Sequence, residues 1–349
     1  KVPKNILGES EVEGLEIKDV KTDETWNPIT GCEPVSAGCD NCYARRMAKR
    51  LKGMGQEKYQ NGPNGFEPTI HPDALDDPLS WRKPRRVFVC SMSDIRWAGF
   101  KFLAAMYSRM VVAPHNTFQL LTKKPDTIRD HLTSPEFEEY VTAGVTILEC
   151  MDKLRPWHTT EFDWPPKNVW VGVTAENQET ANERIPQLLE IPAAVRFVSC
   201  EPMLGPVDVR NYLPPMMGKG WVSPHKPVNG KTTHGIDWAI AGGESGPGAR
   251  PTHPDWVRSL RDQCQAADVP FLFKQWGAWA PRQNVDNGLD AASDHNSIGV
   301  WGHGECLGSC DFRHGTISSH GQHMVKVNKK KAGRKLDGET WNQFPERRA

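Results

Sequence analysis

Cys32, Cys39 and Cys42 stand at C-x6-C-x2-C spacing in the run Gly31-Cys32-Glu33-Pro34-Val35-Ser36-Ala37-Gly38-Cys39-Asp40-Asn41-Cys42-Tyr43. Three thiolates can bind three irons of a 4Fe-4S cluster and leave the fourth iron open to an outside ligand. An open iron is the mark of a cluster that does chemistry. Two other readings of the triplet stay open: a structural zinc, which wants a fourth Cys or His, and buried thiols without a metal. No such partner lies nearby at zinc-finger spacing.

A second group of donors lies late in the chain, where His303, Cys306, Cys310 and His314 fall within twelve residues, followed by His320 and His323. Ligands at this density could hold zinc in an insertion otherwise short of apolar residues. The alternative is a surface loop with solvated side chains. The chain has nine cysteines, an odd and scattered count that argues against a disulfide framework and for metal or redox chemistry in a reducing compartment.

The elements that must position these donors are legible as short apolar runs. Val87–Ser91, Thr117–Thr122, Asn168–Thr174, Val195–Cys200, Ile236–Gly243 and Pro270–Gln275 are nearly all apolar, as expected of strands buried on both faces in a parallel sheet. An additional first strand is expected over Thr25–Thr30. Helices are expected over Tyr43–Lys52, Phe100–Val112, Asn177–Leu189 and Asp255–Ala267, with another opening at Pro125. The alternation predicts an α/β fold, a partial TIM-like barrel of six or seven βα units whose loops share one catalytic face. A doubly wound open sheet competes, but no Gly-x-Gly-x-x-Gly follows an early strand. Gly53–Ser80, Met203–Gly235 and Trp279–Met324 interrupt the rhythm and read as loops, insertions or lids. The expected organisation is an acidic N-terminal extension over 1–24, the barrel over 25–278, and a C-terminal extension over 279–349. That last part carries the Cys/His-rich insertion and a tail that docks through Trp341 and Phe344.

Composition limits the partners. The 43 basic side chains cancel 43 acidic ones across 349 residues, which excludes a globally basic nucleic-acid coat and leaves only local patches. Such patches occur at Arg45, Arg46, Lys49, Arg50 and Lys52, at Arg82, Lys83, Arg85 and Arg86, and from Lys326 to Lys335. Separately they read as solvated surface; gathered on one face they would suit a phosphate backbone. No apolar run approaches membrane-helix length and the N-terminal stretch is not secretory in pattern, so no membrane partner and a cytoplasmic location are expected. The chain begins at Lys1 rather than Met, as expected of a processed or trimmed start.

The cysteine run is followed in order by Ser91-Met92-Ser93-Asp94, Leu121-Thr122-Lys123-Lys124-Pro125, Trp170-Val171-Gly172-Val173-Thr174, Ser199-Cys200-Glu201-Pro202, Gly242-Gly243-Glu244-Ser245-Gly246 and Phe273-Lys274-Gln275-Trp276-Gly277. This ordered set, spanning about Trp26 to Phe344, resembles a phage-associated family of radical S-adenosylmethionine type with a three-cysteine motif. The resemblance implies a partial barrel, a 4Fe-4S cluster held by Cys32, Cys39 and Cys42, and S-adenosylmethionine cleaved reductively to a 5′-deoxyadenosyl radical that abstracts hydrogen. It also implies an electron donor such as flavodoxin or ferredoxin. Two features depart from the common radical S-adenosylmethionine pattern. The first gap is six residues rather than three, and Asn41 stands where an aromatic usually packs near the adenine, leaving Tyr43 as a candidate for that contact.

The remaining motifs sit where strands should end. Ser91, Ser93 and Asp94 follow the second strand, where the resemblance places the methionine amino group; Asp94 is a charge partner for it or, alternatively, a helix cap. Thr174, Glu176 and Asn177 could take ribose hydroxyls, with Thr174 equally able to cap the next helix. Ser199 and Glu201 end the fifth strand, where Glu201 presents a carboxylate or closes an ion pair. Gly242 and Gly243 permit close backbone approach beside Glu244. Lys123 and Lys274 could engage a substrate carboxylate or phosphate, or pair with neighbouring glutamates. The expected substrate is a nucleobase, nucleotide or nucleic acid. The alternatives are a small metabolite or peptide, and a non-catalytic Fe–S or zinc protein that binds nucleic acid or a partner. A metal-dependent barrel hydrolase is disfavoured, since the strand ends carry no His.

Overall fold

The computed structural model describes residues 22–214, 235–284, 297–301, 321–327 and 329–345. The apolar runs form seven strands: β1 (Glu24–Trp26), β2 (Arg86–Val89), β3 (Thr117–Thr122), β4 (Val169–Thr174), β5 (Val195–Cys200), β6 (Trp238–Gly242) and β7 (Phe271–Gln275). Each pairs in parallel with the next in chain order. Helix α1 (Tyr43–Gly53) follows β1, and α2 (Phe100–Val111) follows β2. Two helices, α3 (Pro125–Leu132) and α4 (Pro135–Cys150), follow β3; α5 (Gln178–Glu190) follows β4 and α6 (Pro254–Ala266) follows β6. The sheet curls without closing, so the fold is the expected partial TIM-like barrel.

The two faces of the sheet explain the unbroken apolar runs. Val87, Phe118, Leu120, Val171, Val173, Val198, Ala239, Ala241, Phe271 and Phe273 belong to the outer core shared with the helices. The alternate residues form a separate lumen cluster of Trp170, Val195, Phe197, Trp238, Ile240 and Leu272, with Leu121 and Phe344 against it. Period two thus survives as a choice between two apolar environments rather than between oil and water.

Three elements differ from expectation. The predicted strand Thr25–Thr30 is broken: the sheet strand ends at Trp26, and Ile29–Thr30 instead pairs antiparallel with Thr69–Ile70. Pro28 lacks the N–H to continue a ladder, and Asn27 Oδ1 accepts from Ser91 Oγ and the Met92 N–H, both at 3.1 Å. Helix α4 was not expected, although Phe137, Val141, Val145 and Leu148 give it a buried stripe at helical spacing. Within the segment Trp279–Met324, read as loops, lie strands β8 (Trp279–Pro281), β9 (Ser297–Trp301) and the start of β10 (Gly321–Lys326), which form an antiparallel sheet in the order β8-β10-β9.

Residues 341–343 run antiparallel along β7: the Phe273 N–H donates to Trp341 O at 3.0 Å and the Gln343 N–H to Phe271 O at 3.2 Å. This places the Phe344 ring 4.9 Å from that of Trp238 in the lumen. Among the described residues, no helix is long and apolar enough to cross a membrane.

Candidate functional site

The loop after β1 carries the three cysteines to the C-terminal mouth of the barrel, and Cys42 is the N-cap of α1. The loop is tied to its surroundings by backbone bonds from Gly31 N to Met92 O and from Cys32 N to Phe66 O, 2.9 and 3.2 Å. Cys32, Cys39 and Cys42 all line one cavity of about 340 Å³, together with Tyr43, Phe66, Ser91 and Thr174. Cys32 and Cys42 rest against a small apolar cluster of Ala44, Ala48, Phe66 and Met92.

Two charged nodes clamp the loop from opposite sides. In the first, Glu176 is 1% exposed. Its Oε1 accepts from Ser36 Oγ at 2.6 Å and pairs with the Lys123 ammonium, and its Oε2 accepts from Arg184 Nη1 at 2.9 Å. Burial resists ionisation of Glu176, but Lys123 and Arg184, with hydrogen bonds from Lys123 and Ser36, overcome it and hold the carboxyl below its ordinary pKa. Gly38 passes so close that a Cβ would lie 2.4 Å from Glu176 Oε1 and 2.7 Å from Lys123 Nζ. Any larger residue at Gly38 would have to displace the Glu176 and Lys123 side chains of this node.

In the second node, Arg250 donates to Glu244 from Nη2 at 2.7 Å, Nε at 3.0 Å and its backbone N–H at 2.8 Å. The same guanidinium reaches into the loop, to Ala37 O at 2.8 Å and Asp40 Oδ2 at 3.1 Å. Asn41 Nδ2 donates to Glu244 Oε2 at 3.0 Å and Gly248 O at 2.7 Å. Burial opposes the Glu244 charge, and the Arg250 and Asn41 donors reverse that, leaving its pKa lowered.

The other sequence candidates divide between scaffold and cavity wall. Asp94 lines the cavity but is fully engaged: it accepts from Thr122 Oγ1 at 2.7 Å, the Lys123 N–H at 2.9 Å and the Arg96 N–H at 3.0 Å. It caps the short turn Ile95–Ala98. Ser93 Oγ donates to Gly31 O at 2.6 Å, so the second-strand loop also holds the cysteine loop. Glu201 accepts from Lys274 Nζ at 3.1 Å, and the Glu201–Pro202 peptide is cis. Ser199, Glu201, Lys123, Lys274, Gly243 and Glu244 all reach the cavity wall. Glu176, Asn177 and Gly242 do not line it. Asn177 closes a capping box with Thr180 at the start of α5, and a Cβ on Gly242 would lie 2.4 Å from Glu201 Oε1. Tyr43 is 58% exposed at the rim.

What could the donor set hold? Among the described residues no three His, Cys, Asp or Glu side chains converge as they would around a single ion. A cubane cluster takes each thiolate on a separate iron, so its ligands face one space without converging on one point. Three thiols around a common cavity fit that requirement. Thr174, 3% exposed, faces the same cavity with a hydroxyl that no described residue engages. The buried Trp97 indole N–H lacks a well-formed hydrogen bond and lies beside Cys32. Burial pushes the Cys32 thiol up, Asp94 adds to this, and the Trp97 donor and Arg96 charge counteract it. Polar groups waiting for an acceptor, set around three thiols, suit an anionic iron–sulfur group and a polar cosubstrate.

His303, Cys306, Cys310 and His314 lie outside the described residues, as does most of the 1–24 extension. Sequence reasoning missed Arg184 and Arg250, which organise the two nodes from α5 and from the loop before α6. The only local signal for either was a basic residue close to an acidic strand-end motif. It also missed Trp97 and Gln119, a polar residue inside the apolar run of β3.

A search of curated proteins finds no match. Among solved structures, the chain is similar to spore photoproduct lyase complexed with dinucleoside spore photoproduct, at 10% identity over 93% of this chain and 80% of that one, with a TM-score of 0.35. It is also similar to a cysteine-to-alanine mutant of spore photoproduct lyase with dinucleoside spore photoproduct, at 11% identity over 86% and 68% of the two chains, again with a TM-score of 0.35. The sequence profile of the family described as "Protein of unknown function (DUF5131)" matches residues 18–345, and the chain therefore belongs to that family.

Proposed function

We propose that this protein is a radical S-adenosylmethionine enzyme in which Cys32, Cys39 and Cys42 hold a 4Fe-4S cluster. The observation that carries the reading is the meeting of all three thiols on one cavity at the mouth of a partial barrel. When bound, a cluster with an open iron supplies the electron that breaks a carbon–sulfur bond of S-adenosylmethionine and so starts hydrogen abstraction from an unreactive C–H. The protein's part is positional. The Glu176 and Glu244 nodes fix the cysteine loop, Thr174 and Ser199 offer hydroxyls to a polar cosubstrate, and the apolar lumen excludes water from a reactive carbon centre.

The favoured substrate is a nucleobase, nucleotide or nucleic acid. Helix α1 begins at the cysteine loop and carries Arg45, Arg46, Lys49, Arg50 and Lys52 without an acidic residue. Among the described residues, Arg45, Lys49 and Arg50 form no ion pair, so their charge is available to phosphates beside the cavity. The electron would come from a donor such as flavodoxin or ferredoxin.

Anaerobic reconstitution with iron and sulfide, then reduction in the presence of S-adenosylmethionine, tests the reading. The expected result is about four irons per chain and 5′-deoxyadenosine, both lost in Cys39→Ala. Zinc alone, with no cleavage under any reductant, would overturn it in favour of a metal-bearing binding module.

A further inference from the structure

Beneath the cysteine-lined cavity lies a second, of about 280 Å³, inside the barrel lumen. The two share Phe88, Ser91, Leu121, Ser199, Glu201 and Lys274, so they are neighbours across these side chains. The lower cavity is walled mainly by the rings and branched chains of Phe88, Phe197, Trp238, Ile240 and Leu272, with Thr22, Thr25 and Arg86 also on its wall. Into this apolar space β3 projects Gln119, which is only 5% exposed. Its carboxamide has no hydrogen-bond partner among the described residues. Its amide is thus free to meet whatever fills the cavity, and a Gln set among these rings has the character of a reading group that a ligand completes.

We infer that the lower cavity is a base-binding pocket in which Gln119 reads the donor–acceptor edge of a planar heterocycle, that is, the base of a nucleoside or nucleotide. The inference rests on the proposed radical chemistry for its purpose and narrows the substrate to this class. A carboxamide presents one acceptor and two donors in a plane, which matches the adjacent N–H and C=O or ring nitrogen of a base. Aromatic walls provide stacking or edge contacts to a flat ring. The charges near the chamber are committed. Lys274 pairs with Glu201 at the junction, and Arg86 lies 3.7 Å from Asp23 and over the Phe344 ring. The lumen therefore suits a neutral base, while the unpaired cations of α1 lie outside, where a phosphate would remain. A peptide would bring in backbone amides that one carboxamide cannot satisfy.

The test is calorimetric titration of the cluster-free protein with thymidine and cytidine, using ribose and trialanine as controls. The pyrimidines avoid confusion with the adenosine of the cosubstrate. Both nucleosides should bind while ribose and trialanine do not, and Gln119→Leu and Gln119→Met should each weaken binding about tenfold with unchanged thermal midpoints. Either variant that folds suffices. No nucleoside binding by the parent protein, equal binding by a folded Gln119 variant, or preference for trialanine would each overturn the inference. Because the titration needs no cluster, nucleoside binding without 5′-deoxyadenosine formation would sink only the radical chemistry. Cleavage without nucleoside binding would sink only the pocket.

Discussion

The two nodes that hold the cysteine loop do the same work at different depths. The two carboxylates are similarly buried, Glu176 at 2% and Glu244 at 5% exposure, but Arg184 is 2% exposed whereas Arg250 at the other node is 32% exposed. The deep node joins β4 and α5 and so belongs to the barrel's own structure; the shallow one joins two loops at the rim. A buried pair punishes removal of one partner because the other charge is stranded, while a rim network loses mainly the order it imposed. The loop is thus anchored on one side by something the fold needs and on the other by something chiefly the site needs.

The largest effect is expected from Arg184→Met. It should destabilise the protein by about 3–5 kcal/mol, read as a shifted denaturation midpoint; a loss below about 1 kcal/mol would place the two nodes on one footing. Arg250→Gln should cost about 1–2 kcal/mol and instead lower iron retention after reconstitution. If stability fell as far as in Arg184→Met, the distinction between fold node and site node would fail.

Acidity sharpens the same contrast. Both glutamates have folded pKa values below their unfolded ones. Their contribution is therefore fully present above the unfolded carboxyl range, near pH 4.5, and is lost as pH falls through the lower folded values. Glu176→Gln should remove more of the acid-induced loss of stability than Glu244→Gln in parallel urea titrations across pH 3–6. The smallest effect concerns neither node. In the metal-free protein, Trp97→Phe should slow alkylation of Cys32 a few-fold while leaving Cys39 and Cys42 unchanged, because the nearby indole N–H, unpaired beside the neutral thiol, favours the charged form against the burial that opposes it. Equal rates in the two proteins would deny the Trp97 contact.

The strands were legible because burial on both faces writes itself as continuous apolar runs, and Thr117–Thr122 and Val195–Cys200 match the structure at both ends. The cysteine loop and most strand-end motifs were legible as a set because a barrel gathers its loops at one mouth. The nodes were not. Arg250 reaches residues more than two hundred positions away, and nothing local in the sequence marks that reach. Glu176 read as a ligand contact because a strand-end carboxylate looks the same whether it faces the cavity or a buried arginine. Gln119 was hidden by its neighbours, whose hydrophobicity defines the strand while concealing which face the amide occupies.

The strip 341–343 along β7 has a consequence for biosynthesis. A parallel sheet's outer strand presents bare N–H and C=O groups until something pairs with them, and here the partner leaves the ribosome only after β8 to β10 have been made. The nascent chain must therefore hold a nearly finished barrel with its β7 margin unsealed, the period in which intermolecular pairing at that strand is easiest. Folding ends with the stitching of that hem, and the same stitch seats Phe344 against Trp238.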